Sequence, residues 1–155
     1  MVTRSLVVVL LGAVLGAARP GEEEAIPAPL APLEPLVGSW KGTAIPTADR
    51  IRGWPERHQW SWKFDRGVPV ALTVSIEGGR VLTRALLRHD LATRQYRLEG
   101  TDTAGRPADY AGMREETTGA LVLDRVGAAP DGSKERLTIR PNSNRIRYTM
   151  TVDRQ

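Results

Sequence analysis

The side chains best suited to acid–base chemistry are two histidines, His58 and His89, together with nearby carboxylates. His89 precedes Asp90, which suggests a base with an orienting acid, but sequence neighbours at a turn rarely reach each other in the required geometry. Glu115 and Glu116 are adjacent, and adjacent strand residues face opposite sides of a sheet. The chain has no cysteine and no Gly-x-Ser-x-Gly elbow. We therefore predict no catalytic residue and a protein that is not an enzyme.

Metal, nucleotide and nucleic-acid chemistry also lack a recognisable pattern. Two distant histidines without cysteine do not make a zinc ligand set, and no glycine-rich turn has phosphate-loop spacing. The formal net charge is +4, but the basic residues alternate with acids instead of clustering with aromatic residues as in nucleic-acid binding surfaces. We predict no metal site, no cofactor and no nucleic-acid partner.

The first eighteen residues have the three parts of a secretory signal peptide: a start with Arg4, the apolar run 6–15, and the small residues 16–18. Cleavage after Ala18 predicts a mature protein exported to the periplasm or the extracellular space. The apolar run is about half of the roughly 20 residues that a membrane-spanning helix needs, and an uncleaved anchor is the alternative. Since no second apolar segment follows, we expect no integral membrane segment in the mature chain.

Residues 19–35 are rich in glutamate and proline, with three consecutive glutamates and five prolines. Proline donates no backbone hydrogen bond, and such segments favour extended, solvated conformations. We predict a disordered spacer between the signal peptide and a folded domain.

From residue 36 to 155 apolar and polar residues alternate, which indicates half-buried antiparallel strands. Gly78-Gly79 is typical of a two-residue hairpin turn and would join the runs 70–77 and 80–89. Further turn signals, one of them at His89-Asp90, follow at spacings of roughly 10–14 residues. They predict an all-β domain, an antiparallel up-and-down barrel of eight or nine strands. An edge left open on the run 145–153 would indicate that a further strand belongs to this barrel.

The stretch from Pro46 to Arg57 interrupts the alternation, and Gly53-Trp54-Pro55 lies in its middle. In a barrel this stretch would be a loop over the mouth. Trp54 would then either cover the mouth as a lid or pack on the rim.

The first strand-like run carries the motif Gly38-Ser39-Trp40, within the sequence LVGSWKG. This run resembles the opening strand of calycin barrels, which include lipocalins, fatty-acid-binding proteins and the nitrobindin-like group. The resemblance implies a lipocalin-like barrel in which Gly38 lets the backbone bend and Trp40 plugs one end. It also implies an arginine of the last strand over the Trp40 ring. We assign that role to Arg154, because antiparallel pairing of the first and last strands would bring it beside Trp40 for a cation–π contact.

Nitrobindin-like proteins bind haem through a histidine late in the barrel. Neither His58 nor His89 lies in the last third of this chain. The resemblance therefore does not extend to a haem site, although Tyr110, Tyr148 or Met150 could in principle ligate iron.

A barrel of about eight strands is just wide enough to hold one small ligand. The candidate lining and mouth residues are Trp54, Trp60, Trp62, Tyr96, Tyr148 and Met150. We expect a small hydrophobic or amphipathic ligand. The alternative is that these side chains fill the core of a cell-envelope interaction or structural module. An interior cavity of roughly 300 Å³ or more would favour the ligand-binding interpretation. The sequence does not indicate an oligomeric state.

Overall fold

The computed structural model describes residues 4–12, 25–46, 52–141 and 147–155. These residues form a closed antiparallel barrel of ten strands, which confirms the all-β barrel prediction. The strands are β1 (Arg4–Gly12), β2 (Gly38–Pro46), β3 (Trp54–Asp65), β4 (Val68–Glu77), β5 (Arg84–Asp90), β6 (Gln95–Thr101), β7 (Pro107–Arg114), β8 (Leu121–Arg125), β9 (Glu135–Pro141) and β10 (Arg147–Arg154). Nine of them lie within residues 36–155. No helix within the described ranges is long and apolar enough to cross a membrane.

The tenth strand, β1, comes from the segment predicted to be a signal peptide. It pairs antiparallel with β2 on one edge and with β10 on the other, and so closes the barrel. Because β1 runs opposite to both neighbours, β2 and β10 run in the same direction. The start of β2 therefore lies at the same end of the barrel as the start of β10.

A 3₁₀ helix, Ala31–Leu36, packs on the end of the barrel where β2 and β10 begin. Leu30, Leu33 and Leu36 are buried, at 4%, 1% and 0% exposure. Their spacing of three matches the three residues per turn of a 3₁₀ helix, so all three lie on one face. We call this end the helix end and the opposite end the far end.

The disordered spacer predicted for residues 19–35 is therefore wrong from residue 25 onward, while residues 19–24 lie outside the described residues. Prolines suit this helix because Pro32 occupies its first turn, where a backbone N–H has no partner inside the helix. The prediction rested on the number of prolines and did not use the spacing of the leucines.

Two predicted connections differ from the structure. The turn at Gly78-Gly79 is not a two-residue hairpin: six residues separate β4 from β5, and the Ile76 amide donates to the Thr83 carbonyl at 2.7 Å. Leu82 in this connection is buried in the core, and its burial accounts for the longer excursion. His89-Asp90 belongs to β5, and the turn follows at residues 91–94.

The mouth loop predicted for Pro46–Arg57 is shorter than expected. The β2–β3 ladder extends from Gly38–Trp60 to Ala44–Trp54, so Trp54 is the first residue of a strand rather than a lid residue. Residues 47–51 lie outside the described residues. Pro55 is accommodated within the ladder opposite Thr43, although a proline suggested a loop.

The inward positions of the strands are filled by side chains. Five aromatic residues, each from a different strand, are buried there together with leucines from five strands: Trp40, Trp60, Tyr96, Tyr110, Tyr148, Leu72, Leu87, Leu98, Leu123 and Leu137. The described interior is therefore a packed core.

Candidate functional site

A chain of buried polar side chains crosses the core from β3 to β10. Glu56, His58 and Trp60 alternate along β3 and are 4%, 1% and 1% exposed. Trp60 Nε1 donates to the Tyr148 hydroxyl at 2.9 Å, and that hydroxyl is hydrogen-bonded to His58 Nδ1. His58 Nε2 lies 2.9 Å from Glu56 Oε2, and Trp54 Nε1 donates to Glu56 Oε1 at 2.8 Å. We call these five residues the polar network.

The proton positions in the polar network follow from the group that can only donate a hydrogen bond, the indole of Trp60. An indole N–H only donates, so the Tyr148 oxygen accepts from Trp60 and its own proton points to His58 Nδ1. His58 then carries its proton on Nε2 and donates it to Glu56. In this arrangement every bond of the chain has one donor and one acceptor, and such a fully satisfied network rigidifies a core.

Tyr148 is held in its neutral form. Burial raises the pKa of its phenol far above 10.0, the Trp60 hydrogen bond acts in the opposite direction, and the charge of Glu56 raises the pKa further. The hydroxyl is therefore a hydrogen-bond link and not a ready nucleophile.

Trp40 lies at the helix end, as the motif predicts, and it is 3% exposed. Its Nε1 donates to the Leu36 carbonyl at 2.7 Å, and its ring meets Tyr148 edge-on with centroids 5.1 Å apart. Gly38 has a φ of +135°, a conformation that residues with a side chain rarely adopt. The tryptophan and glycine of the motif thus anchor the barrel to its 3₁₀ helix.

The predicted contact of Arg154 with Trp40 is wrong. Arg154 pairs with Arg4 on β1 and Trp40 pairs with Gly12, eight residues further along, or roughly 26 Å at about 3.3 Å per residue. Since β1 lies between β2 and β10, the end of β10 is at the far end. Tyr148, at the start of β10, meets Trp40 instead.

Arg154 belongs to a cluster around Glu135 at the far end. Arg154 Nε lies 2.9 Å from Glu135 Oε2, and Arg125 Nη1 lies 3.4 Å from Glu135 Oε1. The Tyr110 hydroxyl donates to the same carboxylate. Burial, followed by the bond to Glu135, raises the pKa of Tyr110. This cluster closes the far end with polar contacts, and the Arg125 guanidinium also lies 5.8 Å from the centre of the Tyr110 ring.

A cavity of about 620 Å³ lies at the helix end beside Tyr148. It is lined by Val9, Pro32, Pro35, Arg114, Thr118, Gly119, Arg140, Pro141, Tyr148 and Thr149. The Nε atom of Arg114 is buried without a hydrogen-bond partner in the described part of the chain. No ion pair is described within these ranges for Arg114 or Arg140. The cavity therefore combines an apolar wall with two cationic side chains.

The six candidate ligand residues separate into groups. Trp60, Tyr96, Tyr148 and Met150 are core residues, and Trp54 and Trp62 are half-buried against that core. The polar network joins Trp54, Trp60 and Tyr148, whereas the Tyr96 hydroxyl donates to the Pro29 carbonyl at 2.6 Å. Of the six, Tyr148 lines the cavity at the helix end.

The sequence prediction missed Glu56, His58, Arg114 and Arg140 as site residues. Glu56, His58 and Trp60 have the same strand parity, which was a usable signal that the first two face inward with the tryptophan. No comparable pattern marks the arginines. Within the described ranges, no group of three or more histidine, cysteine, aspartate or glutamate side chains could hold a metal ion.

Comparison with known proteins leaves the chain without a family assignment. No protein-family model matches it, and neither curated proteins nor solved structures give a significant match. The fold and site define a small all-β protein, a closed ten-stranded antiparallel barrel with a buried polar network. This architecture is compatible with a calycin-like fold.

Proposed function

We propose that this protein is an exported, non-enzymatic, lipocalin-like barrel that binds a small amphipathic anion in the cavity at its helix end. The observation that carries the proposal is the cavity of about 620 Å³ with two arginines and an apolar wall. Because the described interior is packed and Arg140 lies on the outward face of β9, the ligand binds against the outer wall of the barrel at its helix end.

The lining residues suit the two parts of such a ligand. Guanidinium groups form strong, often bidentate hydrogen bonds with carboxylates, phosphates and sulfates. An anionic group would give the buried Nε of Arg114 the partner that it lacks within the described part of the chain. Pro32 and Pro35, which remain in the chain after cleavage at Ala18, offer apolar contacts for a hydrocarbon part.

Tyr148 lies at the inner border of the cavity and is 1% exposed. Its hydroxyl is engaged by Trp60 and His58 and its ring by Trp40. A side chain held from three sides does not need to be ordered when a ligand binds, which reduces the entropic cost of binding.

Calorimetric titration of the full chain with dodecanoate, dodecyl sulfate and dodecyltrimethylammonium tests this proposal. We expect the two anions to bind and the cation to bind at least tenfold more weakly. Loss of charge-assisted hydrogen bonds costs about 1.5–3 kcal/mol, so Arg114→Gln combined with Arg140→Gln should weaken anion binding roughly 10- to 100-fold.

Arg136→Gln is the matched control, because Arg136 is also on β9 but pairs with the exposed Asp124 on the barrel exterior. Equal binding of anionic and cationic amphiphiles, or anion binding that the double substitution leaves unchanged, would contradict the proposal. N-terminal sequencing of protein recovered from the host tests export separately, and the expected first residue is Arg19.

A cell-envelope interaction module is the second candidate, and the packed interior favours it. In that case the aromatic residues of the core serve stability, and the barrel binds a partner through its surface or its edges. Failure of all three amphiphiles to bind would favour this second candidate function.

A further inference from the structure

The strand β1 occupies a slot that the rest of the barrel leaves open. Strands β2–β10 form a meander in which each strand runs opposite to the one before. Because nine is an odd number, β2 and β10 run in the same direction and cannot close as an antiparallel pair. One further strand, antiparallel to both, completes the barrel, and β1 is that strand.

The contacts of β1 are those of a strand held on both edges. Its residues pair with seven positions of β2 and with eight of β10. Val8 is 0% exposed and belongs to the core, while its neighbours Val7 and Val9 are 38% and 37% exposed. The slot therefore takes an extended segment with an apolar residue at the inward position.

The slot has a floor formed by side chains of β2 and β10. Trp40 on β2 and Tyr148 on β10 lie on opposite sides of β1, and their rings are in contact beneath it. Without β1, the edges of β2 and β10 would stand about 10 Å apart, twice the usual strand spacing. The packed aromatic core opposes contraction to a nine-stranded barrel.

The segment in the slot is also the one that signal peptidase is predicted to remove. Cleavage after Ala18 would leave the facing edges of β2 and β10 without their ladder partner, and unpaired edges readily accept another strand. We infer that the processed protein is a strand acceptor: the slot between β2 and β10 binds an extended, apolar segment of eight or nine residues from another protein, antiparallel to both edges. Processed copies lack residues 1–18, so a second copy cannot supply this strand.

This inference rests on the export part of the proposed function. Val9 of β1 also lines the cavity at the helix end, so amphiphile binding is measured on the uncut full chain and strand exchange is measured with peptides alone. Strand exchange in the full chain tests it. A protease site is inserted within residues 19–24, the protein is folded intact and then cut, and a fluorescent peptide with the sequence of residues 4–12 is added in excess. Native mass spectrometry should show one labelled peptide replacing one original segment.

Two altered peptides serve as matched probes. Val8 is 0% exposed, so a peptide with Val8→Asp should bind at least tenfold more weakly than the parent. A peptide with Val7→Asp should bind within about threefold of the parent, because the side chain at that position is partly exposed. Equal binding of all three peptides would indicate unspecific adhesion and overturn the inference.

A variant in which β1 is moved to the end of the chain tests the slot even if the cut segment does not dissociate. Because Arg4 pairs with Arg154, residues 4–12 can follow Gln155 through a two-residue turn in a chain that starts at Ala25. A cooperatively folded variant with a native near-ultraviolet circular dichroism spectrum supports a slot that accepts a strand regardless of its connection.

Three further results would overturn the inference. They are no exchange together with an unfolded relocated variant, closure of the cut barrel without any strand, and dimerisation of the cut protein through the slot. An intact N-terminus in exported protein would refute processing. Loss of amphiphile binding alone would refute only the ligand proposal.

Discussion

Substitution of Tyr148 by phenylalanine removes one oxygen from the centre of the polar network. That oxygen accepts from Trp60 Nε1 and donates to His58 Nδ1, so both atoms lose their partner in a part of the core that is about 1% exposed. Each orphaned buried polar group costs about 1–3 kcal/mol. We expect Tyr148→Phe to lower the free energy of unfolding by roughly 2–6 kcal/mol, a large share of the roughly 5–15 kcal/mol typical of a domain.

Urea denaturation followed by tryptophan fluorescence measures this effect. The matched control is Tyr96→Phe, which also removes one hydroxyl, but one whose described bond is a single contact with the Pro29 carbonyl. That loss should cost about 0.5–1.5 kcal/mol. The ring of residue 148 stays in place in the variant, so its edge-on contact with Trp40 should persist.

A double-mutant cycle with Trp60→Phe separates the two orphaned groups. In the double variant the indole donor is gone and His58 alone lacks its partner. The two substitutions should therefore couple by about 0.5–3 kcal/mol. If Tyr148→Phe costs no more than Tyr96→Phe, or if the cycle shows no coupling, the polar network does not exist as described.

Three further predictions concern other parts of the fold. Leu33→Ala should lower the free energy of unfolding, measured in urea, by about 2–5 kcal/mol, because Leu33 is a buried anchor of the 3₁₀ helix. The same change at the exposed turn residue Leu91 should alter stability by less than about 0.5 kcal/mol. Equal costs would contradict the anchoring role of Leu33. All three tyrosines have a pKa raised above 10.0, mainly by burial, so their contribution to the free energy of unfolding is complete below pH 10.0 and is lost as the pH rises above it. Tyrosinate absorbance should therefore appear only together with unfolding. Gradual titration near pH 10.0 in the folded protein would contradict this. Glu135→Gln should cost about 3–5 kcal/mol, because it leaves Arg125, whose side chain is 8% exposed, without its ion pair. The near-ultraviolet signal of Trp40 at the other end should not change. A change there would contradict the separation of the two ends.

The strands themselves were predictable from local pattern. Alternation with period two exposes one face of each strand and buries the other, and this holds for β3, β4 and β6 to β10 whatever surrounds them. Gly38 has a positive φ and Trp40 is buried, and both features follow from the local requirements of a glycine and a large indole. The helix Ala31–Leu36 was missed, since its leucines are buried only when a barrel end is present to receive them.

The amino-acid sequence by itself determined that this chain forms antiparallel strands, where most of them lie, and which tryptophan stands at the barrel end. Tertiary structure alone decided which groups meet. His58 and Tyr148 are ninety residues apart and touch because β3 and β10 line one core, and the two arginines share a cavity because β7 and β9 end beside the 3₁₀ helix. The partner of Trp40 depended on strand parity: with β1 inserted, β10 runs parallel to β2, so its first tyrosine and not its last arginine reaches that ring. Whether the number of strands is even or odd is a property of the whole closed sheet, and no local sequence pattern determines it.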